Sequence, residues 1–229
     1  MPSKKIIVAI DGPAGAGKST VAKLVAKRLN FLYIDTGAMY RALTLKVKRK
    51  HINPTDEPKV CTVMRKTSID LVPENDTLKV LLDDNDVSQE IRKLYISDGV
   101  SEIAKMKPVR EFMTKLQRAL AKNNNCVLEG RDIGTVVFPH AQFKFYLDAS
   151  FKERVLRRFK ELKEKKEAIT LSFVEKDLSN RDTIDSTREY APLKQAEDAH
   201  YIDTTSLTIE EVIDKIALLI KAAKKCSKS

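Results

Sequence analysis

Residues 6–20 read IIVAIDGPAGAGKST, and this stretch decides the fold. A short β-branched run ends at Asp11, three glycines follow, and Lys18, Ser19 and Thr20 open a segment with helical spacing. Continuous apolar strands of this kind are buried on both faces of a parallel sheet. Residues 12–19, GPAGAGKS, fit the GxxxxGK[ST] phosphate loop, and the strand before it and the helix after it supply the required context. Successive backbone N–H groups in such a loop form an anion-binding nest, and the helix N-terminus adds partial positive charge. The expected triphosphate-binding residues are therefore Gly12, Pro13, Ala14, Gly15, Ala16, Gly17, Lys18, Ser19 and Thr20. Lys18 is expected to reach the β and γ phosphates, and the Ser19 hydroxyl to coordinate Mg2+. The loop itself does not separate ATP from GTP. No NKxD-like guanine-reading sequence follows a later strand, which favours ATP.

Working outward, residues 18–30 place Val21, Leu24, Val25 and Leu29 at helical spacing. FLYID (31–35) reads as a second strand and residues 37–50 as a second helix. TSIDLVP (67–73) and TLKVLLDD (77–84) read as strands about the turn ENDT, and a second polar turn, DDND, precedes the short segment VSQEI. Two closely spaced turns predict a small antiparallel meander, so residues 56–95 are expected to form an insertion. A helical pattern returns at 108–121, with Pro108 in its first turn. CVLEG (126–130), FKFYLDAS (143–150) and AHYIDTT (199–205) complete a set of five strands. A charged helix is expected over 151–167, and a final amphipathic helix after a cap at Ser206 or Thr208. Strands alternating with helices predict an α/β fold, a five-stranded parallel sheet flanked by helices. Ligands in such sheets sit at the carboxyl ends of the strands.

A chain of 229 residues fits one domain with an insertion better than two equal domains. No apolar run reaches the roughly 18 residues of a bilayer span. The opening MPSKK leads straight into a strand, with no secretory h-region, so a soluble cytoplasmic protein with no membrane partner is expected. Cys61, Cys126 and Cys226 form no CxxC and no Cys/His cluster, and read as reduced thiols. His51, His140 and His200 are equally isolated. The net charge of +10 would suit nucleic acid, but there is no RRM signature, zinc finger or aromatic-basic interleaving. The same excess of arginine and lysine suits a site for two polyphosphorylated ligands. The tail KAAKKCSKS reads as a solvated end, no obligate nucleic-acid partner is expected, and nothing in the sequence demands more than a monomer.

Six of the seven glycines mark three loops. Gly12, Gly15 and Gly17 lie in the first, Gly37 in DTGAMYR (35–41), and Gly130 and Gly134 in EGRDIG, leaving only Gly99 elsewhere. Each loop follows an expected strand, which places all three on one sheet edge. Thr36 and Arg41 could contact an anion at a helix start, or form an ordinary capped helix with a surface arginine. Arg131 is placed for a bidentate phosphate contact and Asp132 for an exocyclic amine, with a local ion pair as the alternative. If NRDTIDSTRE is helical, Arg181, Asp185 and Arg188 share one face, either as a site or as a self-neutralised solvated surface.

Taken together, GPAGAGKST, DTGAMYR, EGRDIGTVVFP and RDTIDSTREYAPLKQAEDAHYIDTT resemble the bacterial-type cytidylate kinases, in order, from residue 5 to about 220. The resemblance implies transfer of the ATP γ-phosphoryl group to CMP or dCMP with Mg2+. It implies that Lys18, Arg131 and Arg188 act in catalysis and that Arg41, Arg131 and Arg188 surround the acceptor phosphate. Ser101, Arg110 and Asp132 would read the cytosine edge, Arg181 and Asp185 would contact the sugar and its surroundings, and Thr36 would also belong to the substrate site. Arg154, Arg157 and Arg158 would lead into a helical lid closing over ATP, with Arg157 and Arg158 at the ATP itself. The 56–95 insertion would belong to the monophosphate-binding region. The implied parts of the single kinase domain are a core (about 1–36, 108–150 and 194–229), a monophosphate-binding region (about 37–107) and a lid (about 151–193). The chain departs from the family's frequent DGRD with EGRD, which leaves Glu129 as a candidate in the metal's surroundings. Rival readings are a P-loop kinase for UMP, AMP or another metabolite, and a P-loop regulator that binds nucleic acid.

Overall fold

The computed structural model describes residues 5–74, 77–164 and 168–226, and the side chains of residues 73, 77 and 223–226 stand outside that description. The expected turn at Asn75 and Asp76, the end of the charged helix at 165–167 and the last tail residues, 227–229, lie outside the described residues.

Strand β1 (Ile7–Asp11) is buried at every position. Ile7 and Ala9 enter one hydrophobic cluster, whereas Val8 and Ile10 enter another, so both faces of the strand are covered. Helix α1 (Lys18–Leu29) buries Val21, Ala22, Val25 and Ala26 along one stripe and ends at Asn30 in the left-handed region. Lys27 and Arg28 face the negative end of its dipole. After β2 (Leu32–Asp35), the Asp35 carboxylate caps α2 (Thr36–Arg49) by accepting the Ala38 N–H at 2.9 Å.

The insertion contains α3 (Glu57–Met64), capped by Asp56, and an antiparallel sheet of β3 (Ile69–Glu74), β4 (Thr77–Leu82) and β5 (Asn85–Asp86). The third strand differs from expectation. Asp83 and Asp84 both have positive φ, 48° and 64°, and form a two-residue primed turn whose twist matches a hairpin. Pairing therefore resumes at Asn85, inside the predicted turn, and VSQEI contributes one turn of 3-10 helix at Glu90–Arg92 instead.

Helix α4 (Leu94–Ala104), not expected from the sequence, precedes α5 (Lys107–Ala121). Strand β6 (Cys126–Gly130) leads into one turn of π-helix at Ile133–Val137. Then follow β7 (Phe143–Asp148), α6 (Phe151–Glu164), α7 (Leu171–Thr187) and β8 (His200–Asp203). In α8 (Ile209–Cys226), the Glu211 carboxylate accepts the Thr208 N–H at 2.7 Å while the Thr208 hydroxyl accepts the Glu211 N–H at 3.3 Å. This capping box selects Thr208 over Ser206 as the cap.

The five core strands are parallel, as the sequence predicts, and run in the order β2-β6-β1-β7-β8. Register aligns Asp11 with Gly130, Asp35 with Glu129 and Asp148 with Asp203, so the polar ends of all five strands share one edge. Helices α1 and α8 cover one face of the sheet, and α2 and α5 lie on the other. Each fully buried Ile or Leu contributes about 1.5–3 kcal/mol of transfer free energy to this arrangement. Cys61 and Cys126 are buried and unpaired, and burial pushes the Cys126 thiol up to about 12. Among the described residues, no helix is long and apolar enough to cross a membrane.

Candidate functional site

The phosphate loop joins β1 to α1 through three glycines with φ of 147°, 80° and 85° at Gly12, Gly15 and Gly17. A Cβ at Gly12 would lie 1.9 Å from the Leu147 carbonyl oxygen, so the loop has no room for a side chain there. The loop's carbonyls are tied to the protein. Pro13 O accepts Lys18 Nζ at 2.5 Å, Ala14 O accepts Arg154 Nη1 at 3.1 Å, and Ala16 O accepts the Thr204 hydroxyl at 3.3 Å. Lys18 is buried, while Thr20 is exposed on α1. Burial, and next the Arg131 charge, pull the Lys18 ammonium down to about 7.

Glu129, at the end of β6, binds the loop from the other side. Its Oε2 accepts the Ser19 hydroxyl at 2.8 Å and its Oε1 the Tyr33 hydroxyl at 2.5 Å. Its own carbonyl accepts the Thr36 hydroxyl at 2.6 Å. No group of three or more His, Cys, Asp or Glu residues suited to a metal occurs among the described residues. One hydroxyl beside one carboxylate nonetheless fits Mg2+, a hard ion that uses oxygen ligands and takes most of its shell from water and phosphates.

The second and third glycine loops bring a group of paired cations to the same edge. Arg41 Nη2 lies 2.7 Å from Asp35 Oδ2. Arg131 Nε donates to Asp185 Oδ2 at 2.8 Å, and Arg188 Nη1 reaches Asp185 Oδ1 at 3.4 Å. Asp185 on α7 therefore lies between Arg131 and Arg188, not between Arg181 and Arg188 as their shared helix face had suggested. Arg188 Nε donates to Ala191 O at 2.6 Å, and its Nη2 is buried with no partner. Arg110 pairs with Asp132, donates to Ala104 O at 3.0 Å and lies over the Tyr40 ring at 5.5 Å. Arg188 is held below its ordinary range by burial and then by the Arg110 charge. Arg181 is held down by burial and then by Arg131. Its guanidinium lies 3.6 Å from Asp177.

Not every predicted residue joins this group. Ser101 sits half-buried on α4, and among the described residues no side-chain hydrogen bond ties it to Arg110 or Asp132. Arg158 turns to Glu161 at 2.8 Å. Arg157 donates to Glu153 and, at 3.0 and 2.7 Å, to the hydroxyl and carbonyl of Thr204. An open cleft of about 380 Å³ lies between Pro13, Tyr146, Phe151, Arg154 and Asp182, and no arginine of the Asp185 group lines it.

Asp11, Tyr33 and Thr204 are structurally engaged residues that the sequence reading passed over. Thr204 follows the last strand and touches the phosphate loop, Asp148 and Arg157 at once. Only its place at a strand's carboxyl end signals this.

A family model described as "Cytidylate kinase" matches residues 8–222. A cytidylate kinase of Caldanaerobacter subterraneus subsp. tengcongensis is 53% identical over 209 residues, covering 91% of this chain and 92% of the relative. One from Alkaliphilus oremlandii is 49% identical, covering 93% of this chain and 97% of the relative. A solved structure of an uncharacterized protein from Eubacterium ventriosum has a TM-score of 0.50 and 10% identity, covering 96% of this chain and 99% of that one. That last likeness concerns the fold alone.

Proposed function

This chain belongs to the cytidylate kinase family, phosphotransferases with a phosphate group as acceptor, and we propose that it moves the γ-phosphoryl group of ATP to CMP or dCMP, giving ADP and CDP or dCDP. The observation that carries this reading is the crowding of Lys18, Arg131, Arg181 and Arg188. Burial first, and then positive neighbours, push Lys18, Arg181 and Arg188 down, and Arg188 Nη2 is buried without a partner. Cations held this close, some already paired with carboxylates, suit the arrival of further negative charge. Two phosphate-bearing ligands supply it.

The acceptor phosphate has a second pKa of about 6, so at neutral pH it is mostly dianionic and already nucleophilic. No general base is needed. The obstacle is repulsion between two polyanions that must approach in line. Lys18 bridges the β and γ phosphates from the loop, and Arg41, Arg131 and Arg188 hold the acceptor phosphate opposite it. Asp132, held by Arg110, and Ser101 read the cytosine edge. Arg181 and Asp185 contact the sugar and its surroundings, and Thr36, at the start of α2, lies on the acceptor side. Ser19, with Glu129 beside it, would hold Mg2+, which when bound neutralises developing charge on the phosphates. Arg157 and Arg158 on α6 serve the ATP side, and the α6–α7 segment closes as a lid that excludes water. The parts of the domain follow from this: a core, a monophosphate-binding region with its insertion, and the lid. We infer a cytoplasmic enzyme that works as a monomer, with no obligate nucleic-acid or membrane partner.

Lys18→Ala is expected to cut phosphoryl transfer by several orders of magnitude while CMP binding survives, and comparable turnover would overturn the donor assignment. Asp132→Ala is expected to narrow the preference for CMP over UMP more than it weakens ATP binding. An unchanged CMP-to-UMP ratio would remove Asp132 from base reading.

A further inference from the structure

Asp11 ends β1 one residue before the phosphate loop, yet its carboxylate serves a different loop. Oδ1 accepts the Ile133 N–H at 2.8 Å and Oδ2 accepts the Gly134 N–H at 2.7 Å. Those two donors directly follow Arg131 and Asp132. Asp11 is only 5% exposed, and the β1–β6 ladder that brings it to Gly130 is already hydrogen-bonded without its side chain. A buried carboxylate is costly unless its oxygens are satisfied, and here both are satisfied by one turn of backbone. The turn is packed from behind as well. A Cβ at Gly134 would lie 3.2 Å from Lys144 Cδ and 3.4 Å from Asp11 Oδ2. Lys144 Nζ is itself held by Pro139 O at 2.5 Å and by Asp198 at 2.8 Å.

We propose that Asp11 is a positioning residue: its carboxylate fixes the arm carrying Arg131 and Asp132 against the phosphate loop, and so sets the acceptor's place relative to the donor. The inference rests on the reading that Arg131 and Asp132 hold the acceptor. A carboxylate suits the task because both of its oxygens accept, whereas an amide would turn one NH2 toward an N–H. Burial pushes the Asp11 carboxyl up to about 6, while the Gly134 and Ile133 N–H groups pull it down. The charged groups facing it are Asp132, which raises it, and Lys18, which lowers it. Asp11 is therefore mostly ionised at neutral pH, the form that accepts both bonds.

The test is Asp11→Asn, with steady-state KM and kcat for CMP measured beside the Kd for ATP without CMP. Small misplacements of reacting groups are costly, so KM for CMP is expected to rise, and kcat to fall, by about tenfold or more, with ATP affinity within about threefold. Equal losses on both sides, or an unchanged KM for CMP, overturn the proposal. Gly134→Ala perturbs the same contact from the other partner and is expected to give the same CMP-selective loss. If Asp11→Asn does not fold, Gly134→Ala decides, and an even loss or no loss then overturns the proposal. Arg131→Ala separates the two levels. If it weakens CMP and the Asp11 and Gly134 variants do not, only the role of Asp11 fails. If Arg131→Ala leaves CMP unaffected, the acceptor reading fails and the proposal with it.

Discussion

The Ser19 hydroxyl donates to Glu129 Oε2 at 2.8 Å, so the carboxylate at the end of β6 is bonded to the phosphate loop. The Tyr33 hydroxyl holds the other oxygen, and burial, followed by the Asp35 charge, pushes the Glu129 carboxyl above its usual range. A buried carboxylate so placed gains from a nearby cation. Glu129→Gln keeps the volume and removes the charge. The Mg2+ concentration giving half-maximal rate is expected to rise by about tenfold or more, as for other groups around a metal. CMP binding measured alone is expected to stay within about twofold. An initial-rate titration with Mg2+ checks this.

ATP binding is expected to take up a proton at Lys18. The free ammonium has its pKa lowered from 10.5 to about 7, so near about pH 8 it is mostly neutral. Triphosphate oxygens beside it favour the charged form and raise the value again. Calorimetry in two buffers of different ionisation heat is expected to show uptake approaching one proton, absent in Lys18→Met. Between about 7 and 10.5 the unfolded chain holds more protons at this site than the native one, so the contribution of Lys18 to stability rises with pH.

Gly12 and Gly17 separate space from backbone conformation. A Cβ at Gly12 meets a carbonyl oxygen at 1.9 Å, whereas one at Gly17 meets nothing nearer than Arg157 Nη1 at 3.9 Å. Gly17→Ala should therefore cost only the positive-φ penalty, about 1–2 kcal/mol. Gly12→Ala must displace β7 backbone and should cost more than about 3 kcal/mol, or fail to fold. Urea unfolding of the two variants distinguishes them.

Arg188→Lys keeps the charge and removes the planar fork. The ammonium cannot serve Ala191 O, Asp185 and a phosphate at once as the guanidinium can. Affinity for CMP is expected to fall by about 10- to 100-fold, or about 1.4–2.8 kcal/mol, with ATP affinity unchanged within about twofold. Titration calorimetry with each nucleotide reads both.

The sheet was legible because its strands are short local runs, three of them closed by glycine loops. Helix α4 was missed because its N-cap position, Lys93, supplies no side-chain cap and because it adjoins an insertion read as strands. β5 was misplaced because a turn of two aspartates with positive φ is shorter than the polar run around it. The bonds of Asp11 to Ile133 and of Tyr33 to Glu129 span 122 and 96 residues, and no local spacing encodes them. The pairing of Arg110 with Asp132 has the same character. The sequence brought both residues forward as candidates, whereas their contact with each other is a product of the fold.

The acceptor that takes the phosphoryl group separates this enzyme from other P-loop kinases. The most direct measurement is ADP production from ATP and Mg2+, compared across CMP, dCMP, UMP, AMP and shikimate. Strong stimulation by CMP or dCMP, with AMP and shikimate near the rate without acceptor, is the result predicted. Stimulation by AMP or shikimate above that by CMP and dCMP, or no response to any nucleoside monophosphate, would contradict it.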